Sequence, residues 1–182
     1  MSTLGNPAAE VIPIGRNLAN IAKLKPDAPA ITCDGETITY GELHARTNRM
    51  ARALSQRGVK LGDFVTIALP NSIAFLESNF ACWKIGATPQ PVSWRLPPQE
   101  IKAIIELANS PLVIGNNPQL DAGRPVVSPE TLLAESKDDT DLPDAVAPAW
   151  KAPTSGGSTG RPKLIVAGTP GVELRVVADH ER

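Results

Sequence analysis

The stretch TSGGSTGRPK, residues 154–163, sets three glycines, four hydroxyl side chains and two cations side by side, with no apolar side chain apart from the proline ring. Glycine lets the backbone take positive φ and approach a ligand closely, so that successive N–H groups can converge on an anion. Ser155, Ser158 and Thr159 add hydroxyl donors; Lys163 adds a point charge, and Arg161 is a candidate for a second. Donors without carboxylates or apolar anchors suit phosphate oxygens, where charge-assisted hydrogen bonds are strong. A solvated surface loop has the same composition, and composition does not separate the two. Spacing does exclude two familiar nucleotide loops. Five residues after Gly156 comes Arg161 and five after Gly157 comes Pro162, so no Walker A motif is present, and GxGxxG is absent. Pro162 also argues against a helix starting at Lys163, which leaves the loop backbone to do the binding.

Other residues with chemistry available read more plainly. Asp138, Asp139, Asp141 and Asp144 could suggest a metal site, but they lie in a proline-broken stretch and read as a solvated linker. His44 falls on a helix beginning at Thr39 and reads as a surface or boundary residue; His180 has no partner near it in the sequence. Trp94 and Arg95 read as packing and a buried or bridging cation. No set of residues has metal-ligand spacing. The two cysteines, Cys33 and Cys82, lack CxxC spacing and read as buried free thiols in a reducing cytoplasm.

The elements that must hold the loop follow from apolar spacing. Leu18, Ile21, Ala22 and Leu24 predict a helix over 15–25, ended by Pro26. Asp34-Gly35 between β-formers predicts a hairpin. Thr39 and Glu42 form a capping box, worth about 0.5–2 kcal/mol, that opens the next helix. Leu43, Met50 and Leu54 mark its core face, while Arg46, Arg49, Arg52 and Arg57 read as a solvated one. Gly58 suits a left-handed stop. Residues 63–70 read as a buried strand, and 71–86 as a helix with Ile73, Leu76, Phe80 and Trp83 on its stripe. A strand at 87–92, a helix at 98–108 and a strand at 111–115 follow. Short, unalternating apolar strands between helices predict an α/β fold, a parallel sheet with helices on both faces. The expected division is an α/β subdomain over 1–114, a Pro/Asp-rich linker over 115–148 with one helix at 129–136, and a strand–phosphate loop–strand segment over 149–182 that starts a second, incomplete subdomain.

Composition narrows the function classes. With 42% hydrophobic residues, 20% charged residues and a net charge of −1 over 182 residues, the chain has ordinary globular character. It lacks the basic surplus of a nucleic-acid binder, and no stretch approaches the length of a transmembrane segment. The expected setting is cytoplasmic.

SGGSTGRPK resembles the signature loop of the adenylate-forming (AMP-binding) enzymes, whose usual form is Thr-Ser-Gly-Thr-Thr-Gly-x-Pro-Lys. Gly157, Thr159, Gly160, Pro162 and Lys163 match it; Ser155 and Gly156 stand where Thr and Ser are commoner, and Leu164 where glycine is frequent. TYGEL, GVKLGDFVTIALPNS and PVSWRLPPQEI also sit in the order and spacing of that family's N-terminal region. Within the family, WKAPTSGGSTGRPKLIVAG is most similar to bile-acid, steroid-side-chain or fatty-acid CoA ligases. The resemblance implies ATP, Mg2+ and CoA as cofactors and a small carboxylic acid as partner: the acid attacks the α-phosphate of ATP, and a CoA thiol then displaces AMP. It assigns phosphate binding to Ser155, Gly156, Gly157, Ser158, Thr159, Gly160 and Lys163, with Lys163 the catalytic cation. Family members are several hundred residues long, and GTPGVELRVVADHER follows their pattern only to about Gly171. The adenine, Mg2+ and CoA sites are therefore expected to lie beyond this chain. Two readings result: the N-terminal portion of an acid–CoA ligase, or a catalytically inactive truncated fragment with at most weak nucleotide or phosphate binding.

Overall fold

The structure is a computed structural model that describes residues 9–155 and 162–176. In chain order its elements are β1 (Ala9–Pro13), α1 (Ile14–Leu24), β2 (Pro29–Cys33), β3 (Glu36–Thr39), α2 (Tyr40–Gln56), β4 (Phe64–Ala68), α3 (Ile73–Lys84), β5 (Thr88–Pro91), α4 (Pro98–Ala108), β6 (Val113–Gly115), β7 (Val126–Val127), α5 (Pro129–Glu135) and β8 (Val172–Val176). Local chemistry explains the boundaries. Asp34 and Gly35 take φ of 51° and 83°, the paired left-handed conformation that lets a two-residue turn join β2 to β3. The Thr39 hydroxyl accepts from the Glu42 N–H at 3.2 Å while the Glu42 carboxylate accepts from the Thr39 N–H at 2.8 Å, so the predicted capping box opens α2. Gly58 and Gly86, at φ of 90° and 72°, turn the chain out of α2 and α3.

The central sheet is parallel, in the order β5-β4-β6-β7. Alternation along β4 divides its side chains. Val65 and Ile67 join Met50 and Leu54 of α2, Ala81 and Cys82 of α3 and Leu132 of α5 in one core. Ala68 and Val113 face Ile101, Ile104 and Ile105 of α4 in the other. The sheet is therefore covered on both faces, the α/β arrangement that the strand–helix alternation predicts. Its fourth strand, β7, lies past residue 114, and β1 pairs antiparallel with β8, an association that bridges most of the chain. Among the described residues no helix is long and apolar enough to cross a membrane.

The arginine face of α2 is not the solvated surface its spacing suggests. Arg49 donates to the carbonyls of Leu133 and Ser136, Arg52 to the carbonyl and hydroxyl of Thr140 and to Asp138, and Arg57 to the carboxylate of Glu135. Residues 133–141 thus lie against α2 as a tethered strap, and Asp138, Asp141 and Asp144 all bind cations of α1 or α2. Helix α3 differs too. Its Leu76 is exposed, while Glu77 and Lys84 are buried, because α3 packs between α2, α1 and the sheet and needs partners on two sides. Glu77, fully buried, is held by the fork of Arg46.

Removing one member of a buried ion pair strands the other in low dielectric. Arg46→Ala is expected to lower stability by about 3 kcal/mol, read from urea denaturation, whereas Arg46→Met with Glu77→Leu recovers most of that loss. Equal losses in the single and the double variant would show that the arginine acts through packing alone.

Candidate functional site

Prolines at alternate positions mark β5, TPQP, as an edge strand: Pro89 and Pro91 have no N–H to offer outward, while Thr88 donates inward to Asp63 O at 2.8 Å. The outward carbonyl of Pro89 accepts from Ala152 N at 3.0 Å, and the Thr88 hydroxyl donates to Ala149 O at 3.0 Å. The indole N–H of Trp83 donates to Trp150 O at 2.7 Å. Three anchors from α3 and β5 therefore fix residues 149–152 along the sheet edge.

From that edge the chain turns back on itself as a ladder in place of two full strands. Trp150 N donates to Thr169 O, Ala167 N to Lys151 O and Ile165 N to Pro153 O, at 3.0, 3.1 and 2.8 Å, and Thr154 bridges Leu164. Its last rung is Ser155 N to Lys163 O at 2.9 Å, next to Lys163 N to Ser155 Oγ at 3.2 Å. The two ends of the glycine loop are thus clamped together by Ser155 and Lys163. In that clamp the Ser155 oxygen is an acceptor, which leaves its proton available to a ligand, and Lys163 is exposed. Gly156, Gly157, Ser158, Thr159, Gly160 and Arg161 lie outside the described residues, as does His180.

Two crevices flank the clamp at the carboxyl end of β5. One, of about 590 Å³, runs between Leu96, α4 (Gln99, Ala103, Ile104) and Thr154, Ser155 and Pro162. The other, of about 620 Å³, lies beyond the ends of β4 and β5 and is lined by Asn71, Phe75, Trp94, Arg95 and Pro153. The chain leaves β4 for β5 on one side and returns to β6 on the other, so strand order reverses between β4 and β6; both crevices lie at the same carboxyl end of the sheet, one strand away at its β5 edge. Trp94 and Arg95 do not pack inward as their sequence setting suggests. Trp94 is 48% exposed and the Arg95 guanidinium stacks 5.2 Å from its ring centre. Gln90, fully buried on β5, accepts from Thr66 Oγ1 at 2.7 Å, and its Nε2 has no partner among the described residues.

Sequence reasoning named the loop but missed its anchors, Thr88, Trp83 and Pro89. The alternating prolines of TPQP were the one available signal for an edge strand; nothing in the sequence pairs Trp83 with residue 150. His44 and Asp141, set aside individually, meet at 2.8 Å, and buried Lys84 joins them. Of the cysteines, Cys82 is fully buried and its thiol is pushed up by burial, while Cys33 is half-buried; both are free.

Comparison with known proteins agrees with this architecture. A profile described as "AMP-binding enzyme" matches residues 18–172. The fatty acid–[acyl-carrier-protein] ligase ScoC of Streptomyces coeruleorubidus is 32% identical over 160 residues, covering 80% of this chain and 31% of that protein. A feruloyl-CoA synthase of an Amycolatopsis species is 34% identical over 150 residues, covering 78% of this chain and 30% of its own length. The chain thus spans about a third of the length of these two relatives. In fold, it superimposes with a TM-score of 0.73 on O-succinylbenzoate coenzyme A synthetase from Bacillus subtilis in complex with AMP, at 22% identity, covering 86% of this chain and 42% of that one. The N-terminal subdomain of Klebsiella oxytoca NpsA also gives 0.73, at 24% identity, with the same two shares covered. A profile matched over most of the chain, relatives above 30% identity and a shared sheet architecture have one meaning: the chain belongs to the AMP-binding family of adenylate-forming enzymes.

Proposed function

We propose that the chain is the N-terminal portion of an ATP-dependent carboxylic acid–CoA ligase, whose loop receives the β- and γ-phosphates of ATP through Ser155, Gly156, Gly157, Ser158, Thr159, Gly160 and Lys163. One observation carries this reading: the clamp between Ser155 and Lys163 stands at the carboxyl end of edge strand β5, with an exposed ammonium beside a hydroxyl that has no acceptor among the described residues. Both are donors, and no carboxylate of the described residues pairs with Lys163 to compete with a phosphate. Lys163 would neutralise charge as pyrophosphate departs, and the ladder below it would keep that charge in position. ATP supplies the electrophilic phosphorus. Among the described residues no three His, Cys, Asp or Glu side chains converge as a metal site, so none is assigned to Mg2+, which would arrive on the nucleotide.

The feruloyl-CoA synthases among the relatives support CoA as acceptor; the acyl-carrier-protein ligase makes a carrier-protein thiol the competing choice. Aromatic and fatty acids named for those relatives support an aryl or long-chain acid, and the finer likeness to bile-acid, steroid or fatty-acid CoA ligases belongs to the same proposal. So does the division of the chain into 1–114, 115–148 and 149–182, with the last segment opening a second subdomain, and the cytoplasmic setting inferred from two free cysteines.

Titration of MgATP into the 182-residue chain tests the assignment directly. Lys163→Ala is expected to weaken binding about tenfold, the scale of one hydrogen bond to a charged group. An unchanged affinity removes Lys163 from the role. At the clamp, Ser155→Ala is expected to weaken MgATP while Ser155→Thr, which keeps the hydroxyl, holds near-native affinity; equal behaviour of the two would mean that the hydroxyl is dispensable. Acid-dependent ATP–pyrophosphate exchange by this chain overturns the inactive-fragment reading, whereas nucleotide binding without exchange is the result both readings expect of an N-terminal portion.

A further inference from the structure

Lys84, the last residue of α3, is 5% exposed, and among the described residues no carboxylate is bonded to its amine. Its Nζ instead has three acceptors: His44 Nδ1 at 3.0 Å, His44 O at 3.0 Å and Asn48 Oδ1. With the Lys84 amine donating to Nδ1, a neutral His44 ring has its proton on Nε2, facing Asp141 Oδ1 at 2.8 Å, with Asn48 Nδ2 3.2 Å from the same nitrogen. Asp141 also receives Lys23 of α1 at 2.7 Å, and Asn48 donates to Asp139 O at 2.7 Å. Helix α1 approaches closely enough that a Cβ at Gly15 would stand 2.9 Å from Lys84 Cγ. Lys84, His44, Asn48, Asp141 and Gly15 border a cavity of about 20 Å³, the size of a single water site. The charged groups facing the cluster are Arg16 and Lys23 from α1, Arg52 from α2, and Asp141 and Asp144 from the strap.

We infer that Lys84, His44 and Asp141 form a proton-linked latch, which closes residues 139–145 over α1, α2 and α3 and so sets the docking of the strand that leads into the glycine loop. This goes beyond the ligase reading and needs no nucleotide. Opening the strap returns Lys84 and His44 to water; closing it desolvates both. Burial holds the Lys84 amine down at about 7, with Asp141 pulling the other way, and burial followed by the Lys84 charge holds His44 below its usual range. Lys23, ahead of His44, keeps Asp141 ionised down to about 2, so the carboxylate is constant above that pH. Both bases bind fewer protons closed than open. Closure is therefore favoured as pH rises from about 7 towards the ordinary lysine value of 10.5, and is weakened as pH falls, first through Lys84 and then through His44. Loss of the ammonium proton gives up one of three hydrogen bonds, but relief of a buried charge outweighs it.

Hydrogen exchange of the 182-residue chain, corrected for intrinsic rates, reads the latch at pH 6, 7, 8 and 9. Protection of residues 137–148 is expected to rise several-fold over that range, by at most about tenfold per pH unit. In Lys84→Met the same residues should show flat protection. A flat profile in the native chain, or the native slope retained in Lys84→Met, overturns the latch. Should Lys84→Met fail to fold, Asp141→Asn takes its place: residues 137–148 lose protection while residues 47–54 of α2 keep theirs. Unchanged protection of 137–148 in that variant overturns the proposal equally.

Discussion

An irregular segment that crosses a helix must find partners for its carbonyls, and here the arginines of α2 provide them. Residues 133–141 expose the oxygens of Leu133, Ser136 and Thr140 with no strand beside them, and Arg49 and Arg52 meet all three. Arginine suits this work because its planar fork serves two acceptors at once. Asp138, Asp141 and Asp144 then neutralise cations of α1 and α2. A stretch rich in Pro and Asp, which in isolation would not bury enough apolar surface to order itself, becomes part of the folded unit. Everything downstream depends on this strap, because it delivers Ala149 to the edge of β5.

At that edge a second constraint takes over. A strand with prolines at 89 and 91 cannot donate outward, so a neighbour can bond only to its carbonyls. Ala152 does so, and the hydroxyl of Thr88 supplies the donor that the prolines lack. The ladder above continues this edge outward as far as Ser155 and Lys163, while Ile165 and Val166 on its return arm remain 52% and 50% exposed. The two ends of a polar loop are thereby set on the edge of the sheet. Its chemistry comes from local composition, its position from contacts with residues far away in sequence.

That difference explains what the sequence could reveal. Thr39 with Glu42, Asp34-Gly35, and Gly58 and Gly86 act within a few residues, so their outcomes are written locally and the elements they bound were legible. The strand–helix alternation was legible for the same reason. What could not be read depends on partners far apart in the chain. Arg49 and Ser136, Trp83 and Trp150, and β1 and β8 carry no mark of each other in composition or period. The stripe assigned to α3 failed in an instructive way. A single apolar face presumes one neighbour, but α3 contacts α2, α1 and β5, and Glu77 and Lys84 fill buried positions that a period of 3.6 reserves for apolar side chains.

Those two buried charges are treated differently, and the difference follows from what surrounds each. Glu77 has the fork of Arg46, which offsets its cost of burial in place. Lys84 has neutral acceptors at hydrogen-bonding distance and its nearest carboxylate, Asp141, only through the ring of His44. Hydrogen bonds without an adjacent opposite charge leave the amine free to change its protonation state near neutrality, as a directly bonded carboxylate would not. One helix thus carries a carboxylate paired to α2 and an amine whose hold on the strap depends on solvent protons. Since the strap leads to residues 149–152 at the edge of β5, the latch ties the placement of the glycine loop's two ends to a protonation step at the end of α3.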